Sequence, residues 1–126
     1  MDKLVNGILS GTSDLISEIN FKELNNKSIL ITGASGLMGV HFLATIRNWI
    51  SHSGFNIKTY CISKSEPSDY FKSLSNFNGC SLLRGDIADF NFLNSLPNAD
   101  FIIHAAGYGQ PGRFMDDQVK TLKLNT

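Results

Sequence analysis

Thr32-Gly33-Ala34-Ser35-Gly36-Leu37-Met38-Gly39 is the stretch of this 126-residue chain whose residue types and spacing can do chemistry. Glycines three residues apart let a backbone turn sharply and come close to a ligand. The apolar run Ile29-Leu30-Ile31 precedes them, and a helical pattern follows. Strand, glycine turn and helix in that order make a cradle for a dinucleotide pyrophosphate. The helix start aims free N–H groups and a positive dipole end at the anion. Gly33, Ser35, Gly36, Leu37, Met38 and Gly39 are therefore candidate cofactor contacts. No Gly-Lys-Ser/Thr follows the glycines, which argues against a P-loop.

Three further groups fall at the ends of expected strands, where ligands bind in parallel sheets. Cys61-Ile62-Ser63-Lys64 closes the second strand. Folds that prefer NAD place an acid here for the ribose 2′-OH, whereas Ser63 and Lys64 could accept the 2′-phosphate of NADP. The plainer reading makes Lys64 a solvated loop lysine. After the third strand, the Asp86 carboxylate can accept from the adenine 6-amino group, with Ile87 beside the ring. Its alternative is a helix cap, and Asp89 is better placed for that. The third group is His104-Ala105-Ala106-Gly107-Tyr108. Small residues after a strand let a cofactor ribose lie against the backbone. For His104, a structural hydrogen bond is preferred over catalysis.

The elements that must position these groups alternate. Strands are expected at Ser28–Thr32, Ile57–Ser63, Ser81–Arg84 and Asp100–His104. Between them lie helices over 37–50, from Pro67 at a first turn, and over 90–96. A last helix is expected from about Asp116. Such alternation gives right-handed βαβ units and a parallel sheet. The fold class is α/β, a partial doubly wound Rossmann sheet of four strands in the order 3-2-1-4. Residues 1–26 form a helical arm, divided at Gly11-Thr12 and packed on the outside; a frayed leader is the alternative. Residues 27–126 form a truncated NAD(P)-binding domain.

Composition narrows the field. Lys+Arg and Asp+Glu are both 11, and the net charge is zero, which supports neither nucleic acid nor an anionic membrane as partner. No segment approaches the roughly 20 apolar residues of a membrane span, and the N-terminus lacks the pattern of a signal peptide. A cytoplasmic protein is the expectation. Cys61 and Cys80 have no metal-ligand spacing and read as buried reduced thiols, with a disulfide possible.

Together these residues resemble the extended short-chain dehydrogenase/reductases, the NAD(P)-dependent nucleotide-sugar epimerase/dehydratase family. The resemblance spans about Lys27 to Thr126. It rests on Thr32–Gly39, Asp86-Ile87, His104-Ala105-Ala106 and the Asn125-Thr126 start of an Asn-Val/Thr-x-Gly-Thr segment. The stretch from His104 to Thr126 looks most like UDP-glucuronate decarboxylases and bacterial nucleotide-sugar dehydratases, through Phe114-Met115 and Lys120–Thr126. It implies NAD or NADP as cofactor, a nucleotide-sugar substrate, a 4-keto-sugar intermediate and a homodimer at full length. It also implies a catalytic Tyr-x-x-x-Lys pair, in which the Lys charge lowers the Tyr pKa.

The tyrosines are Tyr60, Tyr70 and Tyr108. Tyr60 and Lys64 fit that pattern by letter, but on a strand and its turn rather than a helix. The expectation is therefore an N-terminal fragment with its catalytic pair and sugar domain beyond Thr126, inactive alone, its fourth strand leaving an open edge. The alternative is a non-catalytic NAD(P)-binding regulator or sensor of the same fold.

Overall fold

The computed structural model describes residues 3–19, 21–107 and 118–125. Helix α1 (Lys3–Glu18) and a 3₁₀ turn (Lys22–Leu24) lead into β1 (Ser28–Thr32). There follow α2 (Leu37–Ser53), β2 (Lys58–Ser63), α3 (Asp69–Leu74), β3 (Cys80–Arg84), α4 (Phe90–Ser95), β4 (Phe101–His104) and α5 (Gln118–Asn125). The strands form one parallel sheet in the order β3-β2-β1-β4.

The order follows from crossover handedness. Successive right-handed crossovers carry the chain from β1 to β2 and β3 with α2 and α3 on one face. The return from β3 to β4 reverses direction and carries α4 to the other face. Strand alternation then sorts the side chains. Ile29, Ile31 and Cys61 join Leu43, Ala44, Ile46, Phe71 and Leu74 in the core beneath α2 and α3. Leu30 and Ile62 are buried on the opposite face. At the β4 edge that face opens: Ile102, the register partner of Leu30, is 68% exposed. Ser28 and Asp100 tie the start of β1 to the residue before β4. Asp100 Oδ2 accepts from the Ser28 backbone N–H at 2.8 Å, and Ser28 Oγ accepts from the Asp100 N–H at 3.0 Å.

Several local expectations need correction. Helix α1 is continuous through Gly11-Thr12 rather than divided there. Thr12 is buried, bonds back to the Ile8 and Leu9 carbonyls, and accepts from Asn48 Nδ2 of α2 at 2.7 Å. Asn48 Nδ2 also reaches the Leu9 carbonyl at 2.9 Å. With Val5 fully buried in the core cluster, these bonds outweigh the poor helix propensity of Gly and Thr.

Pro67 does not open α3. Ser68 is the N-cap, its hydroxyl accepting from the Phe71 N–H, so Pro67 lies one residue outside. Helix α2 runs three residues past Ile50 and stops at Gly54, whose positive φ of 67° suits a C-terminal glycine. The last helix is seen from Gln118; Asp116 lies outside the described residues. Cys61 is buried but Cys80 only partly so, both are free, and their Sγ atoms stand 3.7 Å apart. Thr59, not Cys61, is the register partner of Cys80. The two α-carbons are thus offset by two residues, about 8 Å at ordinary strand spacing, which exceeds disulfide reach.

Candidate cofactor site

The glycine turn lies at the carboxyl end of β1, where strand order reverses between β2 on one side and β4 on the other. Gly33 has φ +64°, and a Cβ there would meet the Ala106 nitrogen at 2.6 Å and the Ala105 carbonyl at 2.7 Å. A Cβ on Gly39 would collide with the Gly33 carbonyl oxygen and stand 2.7 Å from Ala34. Both positions thus need glycine for the protein's own backbone to pack. Gly36 differs. Its φ of −77° suits any residue, it is exposed, and an added Cβ would touch only the Gly33 oxygen, at 3.3 Å. Among the described residues, that one oxygen is all a Gly36 side chain would crowd.

Gly36 is also the N-cap of α2 and supplies no side-chain oxygen to its first turn. Val40 N–H, bonded to the Gly36 carbonyl at 3.0 Å, is the first to be satisfied by the helix. By helix geometry the N–H groups of Leu37, Met38 and Gly39 have no intrahelical acceptor. Leu37 and Met38 are 78% and 60% exposed, so these large apolar side chains flank an open approach.

The neighbouring strands complete the rim. Ser35 and Ser63 are brought together, Oγ to Oγ at 3.3 Å. Ser63 is only 4% exposed, and its hydroxyl donates to the Ser65 carbonyl at 3.0 Å. Its reach towards a 2′ substituent is therefore small, and Lys64 is the more available group. Lys64 Nζ lies 3.5 Å from Asp86 Oδ2, and Lys120 Nζ of α5 approaches the same oxygen at 3.4 Å. Nothing in the sequence signals the Lys120 contact, which spans 34 residues.

Asp86 Oδ1 accepts from the Ala88 backbone N–H at 3.0 Å. That bond first, then the Lys64 and Lys120 charges, hold the carboxyl below the usual carboxylate range, against partial burial, which pushes it up. Asp86 does not cap α4. Asp89 does, accepting from the Asn91 N–H at 3.0 Å. A Cβ on Gly85 would collide with the Phe92 ring.

On the β4 side, His104 Nδ1 and Thr32 Oγ1 share a hydrogen bond of 2.6 Å. Thr32 Oγ1 also accepts from the Ala106 N–H at 3.4 Å, and the Thr32 carbonyl from the Ala105 N–H at 3.1 Å. Thr32 therefore ties the Ala105-Ala106 backbone against the glycine turn, a role its sequence position did not announce. His104 serves this structural bond. Ile87, Ala105, Ala106 and Gly107 all lie at this end of the sheet. Tyr108 lies outside the described residues.

A small-side-chain turn against two strand ends, with uncapped helix N–H groups beside it, fits a pyrophosphate-bearing cofactor. Residues 29–126 match the model of the NAD dependent epimerase/dehydratase family. The chain belongs to that family. Helix α1 precedes the matched residues. Comparison with curated proteins and with solved structures gave no match.

Membership gives Tyr60 and Lys64 a geometric test. Tyr60 stands inside β2 and Lys64 just beyond its end. Four residues of strand span about 13 Å, against the roughly 6 Å of one helical turn. The two are not a catalytic pair of that spacing. Among the described residues no helix is long and apolar enough to cross a membrane.

Proposed function

We propose that this chain holds NAD or NADP for an enzyme acting on a nucleotide sugar. Gly36 carries the reading. It is a bare, exposed residue at an uncapped helix start, where a side chain would crowd only the Gly33 oxygen. The Gly33–Gly39 turn and the first N–H groups of α2 hold the pyrophosphate. Asp86 and Ile87 receive the adenine. Ser63 shapes the floor beneath the adenosine ribose, and Lys64 faces its 2′ position. Ala105, Ala106 and Gly107 give the second ribose a flat backbone to lie on. The Lys64 ammonium group can pair with a 2′-phosphate, which favours NADP.

The bound cofactor supplies a hydride acceptor for the sugar C4 position, and the resulting 4-keto sugar eliminates, decarboxylates or is reduced again. The residues of this chain bind and orient. The proton-transferring Tyr and Lys are not among them on a helix, so the chain by itself is expected to bind without turnover. The second reading is a non-catalytic NAD(P)-binding regulator of the same fold. A Tyr-x-x-x-Lys helix encoded beyond Thr126 would decide for the enzyme.

Calorimetric titration with NADPH and NADH tests the site. Gly36→Val is expected to cost at least about tenfold in affinity, about 1.4 kcal/mol, with the circular dichroism spectrum unchanged. A Gly36→Val protein that binds as the wild type does, or a wild type that binds neither nucleotide, would overturn the proposal.

A further inference from the structure

Helix α2 begins at the glycine turn and ends, about 25 Å away, at a second concavity. A cleft of about 330 Å³ opens there, lined in part by Ile16, Glu18, Phe21, Trp49, Ser53 and Phe55. Three aromatic side chains meet in its wall, and the Phe21 and Trp49 rings lie 4.5 Å apart, tilted by 59°. Two helices end at it, α1 at Glu18 and α2 at Ser53. Both therefore turn the negative ends of their dipoles towards it.

Glu18 is the one charged residue among the described residues that line the cleft. Helix α1 has no basic residue in its last turn. That of α2 has His52, whose Nδ1 is bonded to the Asn48 carbonyl. No cation among the described residues forms an ion pair with Glu18. Trp49 is 7% exposed, and its buried Nε1 hydrogen has no acceptor among the described residues.

We infer that this cleft binds a small organic ammonium ion. Aromatic rings attract a cation through their negative faces. A carboxylate and two helix carboxyl ends add to that attraction and repel anions such as the cofactor phosphates. The site is separate from the cradle and does not depend on the cofactor reading. Ile16, Glu18 and Phe21 precede the family-matched residues 29–126.

Choline is the probe, and Trp49, the one tryptophan in the sequence, reports on the site directly. Choline chloride should change Trp49 emission saturably, measured against equal sodium chloride. The neutral isostere 3,3-dimethylbutan-1-ol, which keeps shape and hydroxyl, should bind at least about tenfold more weakly. Glu18→Gln should weaken choline about three- to tenfold and leave the isostere unchanged. No saturable response to choline would overturn the inference. So would equal binding of choline and isostere, or full choline affinity in Glu18→Gln.

Discussion

Gly33 and Ala106 approach so closely that a Cβ on Gly33 would stand 2.6 Å from the Ala106 nitrogen. This contact joins the turn after β1 to the end of β4, and it divides the three glycines by role. Gly33→Ala and Gly39→Ala each force backbone apart and should lower unfolding free energy by about 2–4 kcal/mol. Gly36→Ala should change it by less than about 1 kcal/mol. Urea unfolding of the three variants checks the ranking. A Gly36→Ala loss equal to the others would mean that Gly36 is bare for the fold.

Lys64→Ala separates the two cofactors. NADPH affinity should fall about tenfold while NADH affinity changes little, since only the 2′-phosphate needs the ammonium group. Stability should barely move, because the Lys64 side chain is 58% exposed and Asp86 keeps its Lys120 and Ala88 partners. Equal losses for both nucleotides would place Lys64 elsewhere in the site.

Acid titration of stability tests Asp86. Its folded pKa lies below the ordinary value of 3.8, chiefly through the Ala88 N–H bond. Its contribution is thus fully present above about pH 4 and is lost as pH falls through the folded pKa. The stability difference between wild type and Asp86→Asn should be constant near neutrality and shrink in acid. A difference that grows as pH falls would contradict the assignment.

Thr12→Val removes a buried acceptor from Asn48 Nδ2, which keeps only its bond to the Leu9 carbonyl. The expected cost is about 1–2 kcal/mol, read from denaturant midpoints. Asn48→Ala should remove most of the additional cost of Thr12→Val, and a double-mutant cycle measures that coupling.

Thiol chemistry should be ordered. The Cys61 thiol donates to Cys80, which lowers the Cys80 pKa and, together with burial, pushes the Cys61 thiol up. Cys80, the less buried of the two, should react with iodoacetamide first, as peptide mass mapping would show. Cys61→Ala removes the donor and should slow that reaction. Air oxidation should leave both thiols titratable.

Much of the frame was legible because its signals are local. Alternating apolar runs and glycine punctuation lead to four strands, and crossover handedness then leaves the order 3-2-1-4. Asp89 as a cap and a helix stop by Gly54 are decided within a few residues. The misreadings share one cause. Gly11-Thr12 has the local propensity of a break, yet Asn48, 36 residues away, bonds Thr12 inside the helix. Pro67 suits a first turn, but the Ser68 hydroxyl captures the N–H of Phe71 and sets the start at Asp69, two residues later.

The sequence by itself determined that a strand, a glycine turn and a helix would make a phosphate cradle, since that geometry needs only consecutive residues. Tertiary structure decided which glycine is left for a ligand. Gly33 packs against the Ala105-Ala106 backbone brought in by folding, Gly39 against the turn itself, and Gly36 only against the Gly33 oxygen. It also decided that Thr32 ties β4 to the turn, that Lys120 joins Lys64 at Asp86, and that two helix ends and three aromatic rings share a cleft. Each of these joins residues far apart in the chain, and their separations are set by the packed sheet rather than by local preference.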